Sequence, residues 1–191
     1  MNSEPVNIYK KRLLALLREK SFERGSFVLT SGQESDMYFD GKQTTLNAEG
    51  SYLVGKVFNN MIRRSEIPIQ GVGGLSIGAD PIVTAISLVS YLDDNPIHAF
   101  IIRKEPKKHG KSLWIEGASN LDRGAGVAIV DDVVTTAGST LKAIHRAMEE
   151  GFEVVKVMTL VDRNEGGKEN LMKEGYQLEA VFNKEDFFSG T

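Results

Sequence analysis

The sequence predicts an α/β fold in which a mostly parallel central sheet is flanked by helices. Residues 67–72, 97–102, 126–130 and 154–161 are predicted strands, and helical patterns separate them along the chain. The strands over residues 97–102 and 126–130 are apolar at consecutive positions. Continuous apolar strands are typical of parallel sheets whose two faces are both covered, and parallel pairing needs such crossover connections. A length of 191 residues suits a single domain, 1–191, with a sizeable core and a small appendage.

The N-terminal part of the chain departs from this alternation. Residues 7–20 place leucines between basic positions at the spacing of an amphipathic helix. Residues 27–29 and 36–40 are short extended segments with turn residues between them. Asn47 is predicted to cap a helix that follows over residues 48–62.

The remaining elements alternate along the chain. Helices are predicted over residues 80–92, 139–150 and 168–174, and a last strand over residues 178–182. The polar interval over residues 103–123 is exceptional, because loops of that length are uncommon unless they have a function.

Composition and charge exclude several classes of protein. A formal net charge of −3 argues against a dedicated nucleic-acid binder, because such proteins carry a strongly basic balance. The sequence has no cysteine, which excludes disulfides and thiolate metal sites. Neither a signal-peptide pattern nor a run of ~20 apolar residues occurs. We therefore expect a cytoplasmic protein with no nucleic-acid and no membrane partner.

The strongest chemical signal is the segment of residues 130–140, which we call the acidic turn. An apolar strand runs into Asp131 and Asp132, and small and hydroxyl residues then open a helix. Ligands of open α/β sheets lie beyond the carboxyl ends of the strands, so both carboxylates are expected to emerge at that edge. Backbone N–H groups and a helix N-terminus suit a phosphate. The two carboxylates instead suit the diol of a ribose, or a hydrated Mg²⁺ that neutralises a second phosphate group.

The acidic turn resembles the phosphoribosyl-diphosphate motif of the type I phosphoribosyltransferases. The resemblance implies the fold of that family, with the ribose hydroxyls on Asp131 and Asp132 and with Mg²⁺ held near them, mainly by the substrate diphosphate and waters. It implies further phosphoribosyl diphosphate contacts by Val133, Val134, Thr135, Thr136, Ala137, Gly138 and Ser139. The motif indicates the superfamily but not the base.

A basic segment from Arg103 to Gly110, which we call the basic loop, follows another apolar strand. Because it projects from the same sheet edge, its cations can stabilise the charge on a departing diphosphate. The segment resembles the catalytic loop of the orotate phosphoribosyltransferases, which closes over the diphosphate and acts across the interface of a homodimer. The resemblance implies diphosphate contacts by Arg103, Lys104, Lys107 and His109. We expect the largest catalytic contribution from Lys107, beside those of the two acids.

Arg163 is the candidate for recognition of the base. It follows the strand of residues 154–161, and a planar guanidinium can hold a carboxylate with two hydrogen bonds. Residues 160–167 resemble the orotate-binding segment of the same family. The resemblance implies that Arg163 binds the carboxylate of orotate and that Thr135 also contacts this substrate.

Residues 31–40 resemble the hood region of the family, in which an aromatic pair lies against the base. The resemblance gives this role to Tyr38 and Phe39, and implies a small hood formed by about residues 1–45 together with the C-terminal segment.

The chain departs from the family pattern at two positions. Thr30 and Ser76 stand where many members carry lysines, and the second of these lysines contacts the diphosphate. We therefore expect the diphosphate to depend more on the basic loop, on Mg²⁺ and on backbone donors.

Taken together, these segments imply an orotate phosphoribosyltransferase of pyrimidine (UMP) biosynthesis. Two alternatives stay open. A transferase for another base, such as a purine, would leave the basic loop together with Arg163 unexplained. A regulator that binds phosphoribosyl diphosphate as a signal would need a DNA-binding extension larger than the helix of residues 7–20.

Overall fold

The centre of the computed structural model, which describes residues 4–28, 34–107 and 113–189, is a six-stranded sheet. The strands of the protein are β1 (Phe22–Val28), β2 (Glu34–Phe39), β3 (Gly71–Leu75), β4 (His98–Ile102), β5 (Ile115–Glu116), β6 (Gly126–Val134), β7 (Glu153–Asp162) and β8 (Leu178–Asn183). The order in the central sheet is β5-β4-β3-β6-β7-β8. Only β5 runs antiparallel to its neighbour, so the predicted mostly parallel sheet is confirmed.

Helices cover both faces of this sheet, as the apolar strands require. They are α1 (Glu4–Lys20), α2 (Lys42–Thr45), α3 (Ala48–Arg63), α4 (Asp80–Leu92), α5 (Gly138–Glu150), α6 (Gly167–Lys173) and α7 (Lys184–Phe188), and a 3-10 turn lies at Ala118–Asn120. One core packs α1, α3 and α4 against the sheet through residues such as Leu17, Phe58 and Ile86. The second core, on the other face, includes Ile144 of α5 and Leu171 of α6. No helix in the described ranges is both long enough and apolar enough to cross a membrane.

Residues at the starts of α3 and α4 determine where these two helices begin. The Asn47 side chain accepts a hydrogen bond of 3.1 Å from the Gly50 N–H, which confirms the predicted cap of α3. Pro81 lies in the first turn of α4, where its missing N–H removes no helical hydrogen bond. The bounds of α4 coincide with the predicted helix 80–92.

A small antiparallel sheet of β1 and β2 lies apart from the central sheet and packs on the C-terminal helix. The rings of Phe22 and Phe187 have their centroids 5.4 Å apart, and those of Phe39 and Phe187 are 5.3 Å apart. An ion pair of 2.7 Å joins Lys184 of α7 to Asp36 of β2. These contacts connect the two ends of the chain.

The strand predicted over residues 67–72 is wrong in its bounds, because the strand there is β3, Gly71–Leu75. Its glycines permit a close approach of neighbouring elements. A Cβ on Gly73 would lie 2.0 Å from the Phe100 ring, and one on Gly74 would lie 2.2 Å from the Val130 carbonyl oxygen. Because three of its five residues are glycines, the strand carries only Val72 and Leu75 as apolar side chains, too few for the continuous pattern of the other strands.

Four short elements were not predicted, namely α2, α7, β5 and the 3-10 turn at Ala118–Asn120. Each contains five residues or fewer, which is too short to show a helical or alternating pattern. The last two of them divide the polar interval 103–123, which was expected to be one loop.

Candidate active site

The acidic turn lies at the carboxyl end of the central sheet, but its two acids are still part of β6. Strand pairing with β7 continues through Asp131, opposite Thr159, and ends at Val134, opposite Asp162. The predicted end of the strand at residue 130 is therefore wrong, although both acids lie at the expected carboxyl edge of the sheet. Their side chains alternate along a paired strand, and this gives the two acids different environments.

Asp131 is the buried acid, with 6% of its surface exposed. Its Oδ2 accepts a hydrogen bond of 2.9 Å from Thr140 Oγ1, and its Oδ1 accepts one of 3.1 Å from the Asp132 N–H. Burial, followed by the charge of Asp132, raises the pKa of Asp131 to about 7. Near neutral pH an approaching cation or hydroxyl donor would favour the ionised form of this group.

Asp132 is half-buried and lies against two glycines from distant parts of the chain. A Cβ on Gly78 would lie 2.3 Å from Asp132 Oδ1, and a Cβ on Gly41 would lie 3.5 Å from Asp132 Oδ2. Any side chain at Gly78 would thus displace the carboxylate. The sequence gives no periodic signal for either contact, and neither glycine was singled out.

The turn after β6 has the geometry of a phosphate cradle. Ala137 has a φ of 65°, in the left-handed region that alanine rarely adopts, and α5 begins at the next residue. The Asn170 side chain donates a hydrogen bond of 3.1 Å to the Thr136 carbonyl oxygen. A Cβ on Gly167 would lie 2.5 Å from the Thr135 carbonyl oxygen, so α6 packs directly against the turn. The first N–H groups of α5 have no partner within the helix and can serve an anion.

Arg103 and Lys107 of the basic loop are bonded to residues 113–114, which follow the loop, and together they form a short antiparallel stem. The Arg103 N–H donates to the Trp114 carbonyl oxygen at 2.9 Å, and the Lys107 N–H donates to the Leu113 carbonyl oxygen at 3.1 Å. The guanidinium of Arg146 in α5 stacks 3.6 Å from the centroid of the Trp114 ring.

The cations of the basic loop differ in their surroundings. Arg103 pairs with Glu116 at 3.2 Å, while Lys104 and Lys107 are exposed. His109, with the rest of residues 108–112, lies outside the described residues.

Arg163 follows β7 directly and lies beside the acidic turn. Its N–H donates a hydrogen bond of 2.9 Å to the Val134 carbonyl oxygen, so the two segments are joined at the sheet edge. The residue is 7% exposed, and its guanidinium pairs with Glu165 at 2.9 Å. The structure therefore brings a buried cation close to the phosphate cradle.

The predicted aromatic pair does not share one face of its strand. Tyr38 is 47% exposed, whereas Phe39 packs against Phe187 in the core. Successive side chains of a strand point to opposite faces, and Tyr38 and Phe39 are consecutive in β2. Of the hood segment 31–40, residues 31–33 lie outside the described part of the chain, as does Thr30.

The turn after β3 carries Ser76 where many family members carry a lysine, and it also carries the acid Asp80. Ser76 Oγ donates to Asp80 Oδ2 at 2.8 Å, and the peptide bond between Ser76 and Ile77 is cis. Lys42 lines a cavity of about 490 Å³ together with Ile77 and Asp80 of this turn. Sequence reasoning missed Lys42, because a lone lysine in a polar segment gives no signal of its position.

The described residues contain no group of three or more histidine, aspartate or glutamate side chains arranged to hold a metal ion. Asp131 and Asp132 alone leave most positions around a Mg²⁺ ion to other oxygens, as is common for this ion. The arrangement fits an ion that is shared with a phosphorylated substrate and with water.

Comparisons with known proteins agree with this chemistry. The family of phosphoribosyl transferase domains matches residues 77–185. The orotate phosphoribosyltransferase of Nostoc sp. is 45% identical over 177 residues, which cover 93% of this chain and 84% of that protein. A crystal structure of Mycobacterium tuberculosis orotate phosphoribosyltransferase in complex with Fe(III) dicitrate has a TM-score of 0.80 at 36% identity, covering 94% of this chain and 98% of that one. The same enzyme in complex with 5-phospho-alpha-D-ribosyl 1-diphosphate has a TM-score of 0.77 at 33% identity, with 94% and 99% covered.

Proposed function

The chain belongs to the orotate phosphoribosyltransferases, and on this premise we propose that it transfers ribose 5-phosphate from 5-phospho-α-D-ribose 1-diphosphate to orotate. The products are orotidine 5'-monophosphate and diphosphate, so the protein is a pentosyltransferase of pyrimidine biosynthesis. One observation carries the proposal. The buried acid Asp131 and the buried cation Arg163 lie at one sheet edge, where the Arg163 N–H is bonded to the end of β6 at 2.9 Å.

The acidic turn would hold the sugar. The bond from the anomeric carbon to the diphosphate breaks as the ring nitrogen of orotate attacks, and positive charge develops on the ribosyl group. The proton of this nitrogen is released to the departing diphosphate or to water. Asp131 and Asp132 accept hydrogen bonds from the ribose hydroxyls and stabilise this charge, while the turn of residues 135–139 binds the 5'-phosphate.

The departing diphosphate needs positive charge on the opposite side of the sugar. We assign this to Arg103, Lys104, Lys107 and His109 of the basic loop, whose stem is fixed by the hydrogen bond of 2.9 Å to Trp114. Mg²⁺, when bound, neutralises part of the diphosphate charge. Asp131 and Asp132 would lie next to the ion, and substrate oxygens and waters would supply its other ligands.

Orotate is a flat anion, and we assign its carboxylate to the guanidinium of Arg163. Because Arg163 is 7% exposed, the pair would be largely shielded from water, which strengthens it. We keep Thr135 and Tyr38 as contacts of the base, as the family resemblance implies. Phe39 acts through packing on Phe187, since their ring centroids lie 5.3 Å apart.

We also propose that β1, β2 and α7 form the hood over the base. The bridge of 2.7 Å between Asp36 and Lys184 supports it, because the bridge ties the segment that carries Tyr38 to the C-terminal helix.

A homodimer is part of the proposal. Large apolar side chains are exposed on one side of α4 and on the turn before it, where Ile77 is 60%, Leu88 61%, Tyr91 72% and Leu92 67% exposed. Exposed apolar side chains such as Leu88, Tyr91 and Leu92, which share one helix face, are typical of an interface. Because Ile77 also lines the cavity that contains Arg103 and Lys104, a second copy on this surface would bring its own basic loop near the site. The expected result for Tyr91→Glu is a shift to monomer in sedimentation.

Subunit mixing tests whether the basic loop acts across the interface. Lys107→Ala and Asp131→Asn proteins, each nearly inactive alone, should recover activity when they are mixed and allowed to exchange. If the loop acts on the partner's site, about one site in four in a statistical mixture contains both intact residues. No recovery after exchange would show that each loop serves its own subunit.

The decisive experiment is a spectrophotometric assay with Mg²⁺ and phosphoribosyl diphosphate, in which orotate, uracil, hypoxanthine and adenine are compared as acceptors. We expect turnover with orotate alone. Turnover of a purine but not of orotate would overturn the assignment of the base. Binding of phosphoribosyl diphosphate without any turnover would favour the regulator.

A further inference from the structure

The turn after β3, residues 75–80, is the part of the site with the least positive charge for its expected ligand. Ser76 stands where many family members carry a lysine, and its hydroxyl donates to Asp80 Oδ2 at 2.8 Å. The second carboxylate oxygen, Asp80 Oδ1, is buried and has no hydrogen-bond partner among the described residues. A diphosphate bound here would meet negative charge from Asp80 and also from Asp132, which touches Gly78.

Lys42 supplies a cation at this position from a different part of the chain. It follows Gly41, whose Cβ position lies 3.5 Å from Asp132 Oδ2. Its side chain lines the same cavity of about 490 Å³ as Ile77 and Asp80. Three segments that are far apart in sequence thus meet around Asp132, and Lys42 is at their edge.

The Lys42 ammonium group is oriented and remains charged. Nζ donates to Asp40 Oδ1 at 2.5 Å, and the backbone N–H of Lys42 donates to the same oxygen at 3.2 Å. The hydrogen bond with Asp40 is the main cause of the raised pKa of Lys42, and the charge of Asp132 adds to it. The side chain is 37% exposed, and an ammonium group has three donors, of which Asp40 takes one. The other two have no acceptor within residues 4–28, 34–107 and 113–189, so they remain for a ligand.

We propose that Lys42 contacts the diphosphate of the substrate and takes the place of the lysine absent at Ser76. This inference rests on the proposed function and extends it by one residue. Asp40 is a positioning residue, because its carboxylate holds the Lys42 side chain without reaching the ligand. A residue with only a structural role would instead hold α2 in place and affect every ligand equally.

Ligand binding to the Lys42→Ala protein separates these two roles. By calorimetry in the presence of Mg²⁺, we expect affinity for phosphoribosyl diphosphate and for inorganic diphosphate to fall roughly 10-fold, the usual scale for one charge-assisted contact. Affinity for ribose 5-phosphate, which lacks the diphosphate, should change less than about twofold. In turnover assays KM for phosphoribosyl diphosphate should rise and KM for orotate should stay unchanged. Lys42→Arg should restore most of the loss.

Lys156→Ala is the matched control, because Lys156 also pairs with a carboxylate, Glu179, at 2.6 Å, but lies near the opposite end of β7. It should leave all three affinities unchanged. Equal weakening of ribose 5-phosphate and diphosphate by Lys42→Ala would overturn the contact and leave a structural role. Failure of the proposed function would look different, since the unmodified protein would then not turn over orotate.

Discussion

Replacing Asp131 with asparagine should stabilise the ligand-free protein at pH 8 and remove most of its activity. The pKa of Asp131 rises from 3.8 to about 7 on folding, mainly through burial. Between these two values the folded protein keeps a proton that the unfolded chain has released, so stability falls as pH rises from about 4 to about 7. At ~1.4 kcal/mol per pKa unit, the loss over the whole window is on the order of 4 kcal/mol. Asparagine does not titrate, so the variant does not lose this stability as pH rises.

The assay is urea unfolding of both proteins at pH 5 and pH 8, without ligand and with a chelator. The free energy of unfolding of Asp131→Asn, relative to the unmodified protein, should rise by about 3 kcal/mol between the two pH values, since roughly two pKa units lie in that interval. Val127→Ala is the control, because Val127 is fully buried in the same strand and has no titratable group. Its destabilisation should be equal at both pH values. A difference between Asp131→Asn and the unmodified protein that does not change with pH would refute the reasoning.

Three further predictions concern the ligands. Lys107→Ala should lower kcat by about 10²–10³ in steady-state assays, because it removes a preorganised charge partner of the departing diphosphate. Lys173→Ala, at the end of α6, is the control and should leave kcat unchanged. Near-normal turnover of Lys107→Ala would make the loop assignment wrong. Arg163→Gln should weaken orotate binding and leave affinity for phosphoribosyl diphosphate nearly intact in calorimetric titrations, and equal weakening of both ligands would contradict the role given to Arg163. Gly78→Ala should reduce the affinity for phosphoribosyl diphosphate at least ~10-fold, because the new Cβ would lie 2.3 Å from Asp132 Oδ1. The circular dichroism spectrum should stay that of the folded protein. Unchanged affinity would show that the carboxylate can move without weakening ligand binding.

The parts of the fold that the sequence predicted correctly are those with local signals. Apolar runs and caps are properties of neighbouring residues, so α4 and the cap at Asn47 appear where expected. By contrast, the bounds of β3 were predicted wrongly, because Gly73 and Gly74 have no apolar side chain and instead allow residues of neighbouring strands to approach closely. Such a strand can be identified only when the structure shows Phe100 and Val130 packed against it.

The site also contains features that follow from local sequence and features that depend on contacts between distant segments. The acidic turn is continuous in sequence, so its chemistry could be inferred from its own residues and from a family resemblance. The contacts of Asp132 with Gly41 and Gly78 join segments that no spacing connects. The position of Lys42 depends on the same packing of these segments around Asp132. Sequence reasoning therefore found the groups that belong to one motif and missed those that the fold brings to it.

The burial of Asp131 has a consequence for binding as well as for stability. The acid pairs with Thr159 of β7, and its carboxylate is held by hydrogen bonds from Thr140 Oγ1 and from the Asp132 N–H. Its ionised form is unfavourable until ribose hydroxyls or a divalent cation arrive to stabilise it. Ligand binding and loss of this proton are then linked, and part of the binding free energy below pH 7 is used to ionise the acid. Asp132 is half-buried and contacts Gly41 and Gly78, so the two neighbouring acids of one motif have different surroundings.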